Sequence, residues 1–155
     1  MKKLFIYYTL TGNGDVMATF YSKEGYDTHR VETMKPIKKP NFFRILRYGG
    51  EAMMKKRRPI MKIELDPNKY EEIVIGSPIW NDRLSTPILS LLDQYDFNKE
   101  TTKFVFYAGG GKASHAEQQI EKMGFKNKAI VVKEPKSYPL EAEKALGFGK
   151  SMFLR

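Results

Sequence analysis

The chain opens on an unbroken apolar run, Leu4-Phe5-Ile6-Tyr7-Tyr8, then breaks into Thr9-Leu10-Thr11-Gly12-Asn13. After that Val16, Met17, Ala18 and Phe20 recur among polar neighbours. The change from block to helical period predicts a strand over 3–8 and a helix over 14–22, ending near Gly25. A short strand, Tyr26–Val31, follows, and then a Pro- and Lys-rich connection. Phe42–Lys56 reads as an amphipathic helix in which Phe42, Ile45, Leu46 and Met53 share the apolar face, weakened in its middle by Gly49-Gly50. A strand over Met61–Leu65 leads into the turn Asp66-Pro67-Asn68. Ile73-Val74-Ile75 marks a strand buried on both faces, Glu71–Gly76. A loop, Ser77–Arg83, precedes a helix over Thr86–Tyr95 with Pro87 in its first turn. Next come a strand, Lys103–Ala108, the run Gly109–Gly111, and a helix, Ala113–Met123, stopped by Gly124. Strand Ala129–Lys133 and a short helix, Leu140–Leu146, complete the pattern, and the tail Gly147–Arg155 is expected to fray.

Strands alternating with helices indicate parallel β-α units, hence an open α/β sheet with helices on both faces. In such sheets ligands lie at the carboxyl ends of the strands, beside the point where strand order reverses. The loops after the first, third and fourth strands fall at that edge, and these three have unusual compositions. In the first, outward backbone N–H groups, a helix dipole and the Thr9 and Thr11 hydroxyls converge where an anion could sit. Gly12 and Asn13 tolerate the positive φ such a loop needs. An ordinary capped strand-to-helix turn is the competing reading.

At 155 residues, 41% hydrophobic and 29% charged, the chain suits one compact domain, 1–155, with a sizeable core. No apolar run approaches the roughly 20 residues that span a bilayer. The N-terminus shows no secretory pattern. Without cysteine there is no disulfide, thiolate metal site or cysteine nucleophile, which suits a cytoplasmic protein. Histidines and carboxylates show no metal-ligand spacing, so no metal is expected. Ser114-His115-Glu117 is not a hydrolase triad, because adjacent helix residues do not face one another.

Charge changes the picture more. Lys35–Lys62 holds ten basic residues and one acid, Glu51, a net +9. The whole chain is also +9, so everything outside this basic insertion, 35–62, sums to zero. The basicity needs a local explanation. It reads as a solvated face, as a docking surface for an acidic redox partner, or as a site for nucleic acid or an anionic membrane surface. Phe42, Phe43 and Tyr48 interleaved with Arg44 and Arg47 suit the last two ligands.

Taken together, these residues resemble the flavodoxin family of flavin mononucleotide (FMN) electron carriers, over nearly the whole chain. Thr9-Leu10-Thr11-Gly12-Asn13 resembles the family's phosphate loop, Ser/Thr-x-Thr-Gly-x-Thr. Ile75-Gly76-Ser77-Pro78-Ile79-Trp80-Asn81-Asp82 is similar to its first flavin-flanking loop, and Tyr107-Ala108-Gly109-Gly110-Gly111 stands at the place of the second. The resemblance implies a five-stranded parallel sheet of order 2-1-3-4-5. It implies FMN held by Thr9 and Thr11 hydroxyls and by N–H groups from Leu10 to Asp15. The flavin ring would stack on Trp80, the only tryptophan, and Gly109–Gly111 would approach its pyrimidine edge. It also implies that the Asn81-Asp82 peptide turns its carbonyl toward the flavin.

The chain departs from the family pattern in four ways. Gly14 replaces the last phosphate-loop Thr, Asp15 follows it, Asn81 stands where Gly is common, and no aromatic follows Gly111. Asn81 implies a weaker hold on half-reduced flavin than Gly would give. Flavodoxins are typically acidic, so the reversed sign here argues against their usual partners. The functions expected are an electron shuttle between a reductase and an acceptor, an FMN-dependent NAD(P)H reductase of a quinone or similar small acceptor, or a cofactor-free basic binding module. Trp80 is alternatively a core-edge aromatic, Tyr8 and Tyr107 packing residues, His115 a solvated histidine, and Asp82-Arg83 a loop ion pair.

Overall fold

A computed structural model describes residues 2–38, 41–54, 56–143 and 145–146, with backbone alone for Phe42 and Ile45. The apolar blocks of the sequence form one sheet. Strands β1 (Lys2–Tyr7), β2 (Asp27–Arg30), β3 (Tyr70–Trp80), β5 (Lys103–Tyr107) and β6 (Ile130–Val132) run parallel in the order β2-β1-β3-β5-β6. A two-residue strand, β4 (Arg83–Leu84), pairs antiparallel with the end of β3 and lies off that path. With β4 set aside, the five main strands follow the flavodoxin-like order expected, reversing between β1 and β3.

Helices α1 (Asn13–Lys23), α2 (Phe42–Met53), α3 (Thr86–Gln94) and α4 (Ser114–Lys122) connect the strands. Residues 140–143 and 145–146 are helical too. Because side chains alternate across a strand, β1 feeds two cores. Leu4, Ile6 and Tyr8 pack with Tyr48, Ala52, Leu89 and Ile120 from α2, α3 and α4. Phe5 and Tyr7 pack with Met17, Tyr21, Ala142 and Ala145 on the opposite face.

Three expectations are corrected. No strand forms over Met61–Leu65; the Ile63 N–H and carbonyl both bond the Tyr95 hydroxyl instead, at 3.0 and 2.9 Å. Ser77–Trp80 is not loop but the continuation of β3, with Ser77 opposite Phe106 and Pro78 opposite Tyr107. In α2 the inward side chains are Tyr48 and Ala52, whereas Leu46 and Met53, expected inside, are more than half exposed. The frayed tail expected over Gly147–Arg155 lies outside the described residues.

Candidate functional site

At the carboxyl edge of β1 and β3 a cavity of about 270 Å³ opens between the first loop and the end of β3. Of the residues singled out from the sequence, Leu10, Thr11, Asn13, Pro78, Ile79, Trp80, Asn81 and Gly109 line it. Tyr48, Gly49, Tyr107 and Glu134 complete the lining. Pattern did not point to Tyr48, Gly49 or Glu134 as site residues, and it gave Tyr107, at the start of the glycine motif, only a packing role. Tyr48 and Gly49 come from a helix far along the chain, and Glu134 follows the last strand.

The first loop is held from inside. Thr9 is buried, and its hydroxyl accepts from the N–H groups of Gly12 (3.1 Å) and Gly14 (3.0 Å). That hydroxyl therefore braces the loop. Gly12 sits at φ 99° as the N-cap of α1, while Asn13 is not among the positive-φ residues. Among the described residues the N–H groups of Leu10, Thr11 and Asn13 have no protein partner. Three unspent donors at a helix start form a cradle of the kind suited to an anion.

The Gly14 departure has a packing cause. A Cβ at position 14 would lie 2.6 Å from Tyr7 Cδ2, 2.7 Å from Tyr107 Oη and 2.8 Å from Thr9 Cβ. The Tyr107 hydroxyl that fills this space donates to the Tyr8 carbonyl. The Asp15 carboxylate is also accounted for. It accepts from the Tyr7 hydroxyl (2.8 Å) and pairs with Arg30 (3.0 Å). Burial pushes the hydroxyls of Tyr7, Tyr8 and Tyr107 up, so all three stay protonated at neutral pH.

One cation reaches the cradle from the far end of the sequence. Lys136 Nζ donates to the Thr11 carbonyl at 3.1 Å, its N–H donates to Asn13 Oδ1 at 3.0 Å, and its stem runs past Gly12. Nothing in the sequence marks Lys136, because 125 residues separate it from Thr11.

On the opposite wall Trp80 is nearly buried. Its indole stacks on Tyr48 (5.4 Å, 25°) and meets the edge of Tyr8 (6.0 Å, 86°). Arg58 covers Tyr48 in turn. Asn81 (φ 50°) and Asp82 (φ 62°) form the two-residue turn joining β3 to β4, both left-handed as a type I′ hairpin requires. The Asn81 carbonyl accepts from Arg83 Nη1 (2.9 Å), and the Asp82 carbonyl accepts from the Ala116 N–H (2.9 Å). Asp82 pairs not with Arg83 but with His115, whose Nδ1 lies 2.6 Å from Oδ2. Burial raises the Asp82 pKa, but hydrogen bonds from the His115 ring and backbone and from Ser114 outweigh it and hold the carboxyl below its usual range.

The remaining residues singled out contribute from outside the cavity. The Ser77 hydroxyl is buried 2.9 Å from that of Ser85. Ala108 is buried and Gly110 exposed; Gly111, at φ 70°, closes a turn onto the Ala108 carbonyl. A second cavity, about 360 Å³, lies behind the hairpin and includes Arg57, Arg83, His115 and Lys122. Three of these four already have partners: Arg57 pairs with Asp93, Arg83 with the Asn81 carbonyl and His115 with Asp82.

The fold and this edge define an α/β protein of flavodoxin-like topology, with a cradle of unpartnered N–H groups facing an aromatic wall. No family model and no curated protein matches the sequence. Solved structures match its fold. One is a flavoprotein from Lactobacillus acidophilus NCFM in complex with FMN, at 22% identity and TM-score 0.69, covering 91% of this chain and 98% of that one. The apo form of the flavoprotein from the same organism matches at 23% identity and TM-score 0.60, covering 85% and 91%. A protein from Bacteroides eggerthii DSM 20697, provisionally described as a flavoprotein, matches at 17% identity and TM-score 0.67, covering 94% and 98%.

Proposed function

We propose that this chain binds FMN non-covalently and carries electrons between a reductase and an acceptor. The observation that carries the reading is the cradle of three unpartnered N–H groups across one cavity from Trp80. The fold shared with the FMN complex of the Lactobacillus acidophilus flavoprotein supports it. The residues present fit a phosphate ester. The N–H groups of Leu10, Thr11 and Asn13 are unpartnered in one loop, Lys136 adds a cation, and Arg30 neutralises Asp15, which would otherwise repel a dianion.

When bound, FMN supplies the redox chemistry, taking up and releasing one or two electrons. The chain's own work is to hold, orient and enclose. The cradle anchors the phosphate, and Gly109 lets backbone approach closely. The Asn81-Asp82 turn presents its peptide at the cavity rim, in a left-handed form that Asn and Asp tolerate. Neighbouring tyrosines keep their protons and offer no general base. A ring stacked on Trp80 takes the place Tyr48 holds in this structure.

The test is a titration of purified protein with FMN. Expected are a shifted visible spectrum, quenched flavin fluorescence and quenched Trp80 emission. Tyr48→Ala should tighten binding, because apparent affinity rises with the fraction of molecules whose binding face is open. A protein that leaves the FMN spectrum and fluorescence unchanged overturns the reading. Rapid bleaching of bound FMN by NADPH alone would make the protein a reductase in place of a carrier.

A further inference from the structure

We propose that the outer face of α2, with the basic segment around it, docks this protein on an anionic lipid bilayer. Two unusual features coincide there. Of the eight exposed large apolar side chains among the described residues, six lie from Met34 to Met61, a stretch that carries eight of the nine net positive charges. Four of them, Phe43, Leu46, Met53 and Met54, form one stripe along α2 and its C-cap, each more than half exposed. An ordinary surface helix is polar on its solvent side. Here the solvent side is apolar, while Tyr48 and Ala52 fill the inward side.

Charge completes the pattern. The only acid in the segment, Glu51, is buried and held by Arg58 at 2.7 Å and Arg47 at 3.5 Å, so the segment itself exposes no free carboxylate beside the stripe. An apolar ridge with a cationic border is the chemistry of interfacial helices: the ridge enters the acyl boundary while Lys and Arg meet anionic headgroups.

Other occupants fit less well. A second copy would oppose two faces of like charge. Nucleic acid would meet the cations but leave the apolar ridge in water. An acidic protein would need a groove shaped to a convex helix, whereas a bilayer deforms around it. Tyr48 and Gly49 line the candidate site from the same helix, so docking would bring that cavity beside the membrane. The inference does not depend on FMN, and binding is measured with and without it.

The test is co-sedimentation with vesicles rich in phosphatidylglycerol, against phosphatidylcholine alone, at low and high salt. Expected is binding to the anionic vesicles only, weakened by salt. Leu46→Ser with Met54→Ser, and separately Arg47→Gln with Lys56→Gln, should each cut partitioning by about tenfold, with unfolding curves confirming an intact fold. Equal binding to both vesicle types overturns the proposal, as does binding indifferent to either pair of substitutions. Absence from vesicles combined with retention on polyglutamate assigns the face to an acidic protein. Retention on DNA alone assigns it to nucleic acid, and a dimer abolished by the Ser pair assigns it to a second copy.

Discussion

Lys136 is the residue beside the candidate site that the sequence announces least. It sits beyond β6, bridges the Thr11 carbonyl and the Asn13 side chain, and brings a positive charge to a loop otherwise built from backbone donors. Lys136→Met keeps the length of the stem and removes the charge. We expect FMN affinity to fall about fivefold, the scale of about 1 kcal/mol for one exposed charge-assisted contact. Riboflavin, which shares the ring but lacks the phosphate, should bind native and variant alike. Paired fluorescence titrations check this, and an equal loss for both ligands would place Lys136 in loop structure instead. Gly14 teaches the complementary lesson. The family's Thr at that position looked like a missing donor, but Tyr7 and Tyr107 occupy the volume a side chain would need. The departure follows from packing beneath the loop and leaves the outward N–H groups free.

Among the elements, the β3–β4 hairpin ties the site to α4. Its turn is fixed by Arg83 on one carbonyl, the Ala116 N–H on the other and His115 on the Asp82 carboxylate. A carboxyl held below its ordinary pKa loses its proton more readily in the folded chain than in the unfolded one. Its stabilising contribution is therefore fully present above about pH 4 and disappears as pH falls through the lowered folded value. Asp82→Asn should flatten the acid limb of stability against pH. Denaturant midpoints measured from about pH 5 down to about pH 2 check it, and an unchanged limb would mean that the pair contributes nothing to folding. The strand cores were legible because an apolar block such as Ile73-Val74-Ile75 has no other economical place than a two-sided sheet. The extension of β3 was not, since Ser77-Pro78 have loop composition and the buried partners of the Ser77 hydroxyl, the hydroxyl and N–H of Ser85, lie eight residues away. The facing of α2 was equally hidden. Its apolar residues lie on both sides, and period alone cannot say which side meets the core. Gly49, read as a weak point of that helix, is where it presses on the hairpin, with room for a Cβ only 3.2 Å from that of Asn81.

On the scale of the whole molecule, one sheet separates its tasks. Its carboxyl edge gathers the cradle, the hairpin and the glycine run, while α2 carries an apolar stripe on its outer side, amid the net charge. None of Phe43, Leu46, Met53 and Met54 lines the cavity, so the two surfaces are chemically separable although they share a helix. That separation can be read in stability. A ligand that binds only the folded chain adds about 2.7 kcal/mol when present at about a hundred times its dissociation constant. For a domain of this length each kcal/mol raises Tm by about 2–4 °C, so FMN at that excess should raise it by about 5–10 °C. Substitutions at positions that share no partner add independently. The Leu46→Ser with Met54→Ser protein should therefore show the same FMN-induced rise as native, from whatever baseline the substitutions set. Lys136→Met should show a smaller rise at equal FMN concentration, because its occupancy is lower. Calorimetric scans of the three proteins with and without FMN decide the matter. A diminished rise in the stripe variant would mean that α2 transmits the state of its outer face to the cavity through Tyr48 and Gly49, and the two surfaces would then act as one.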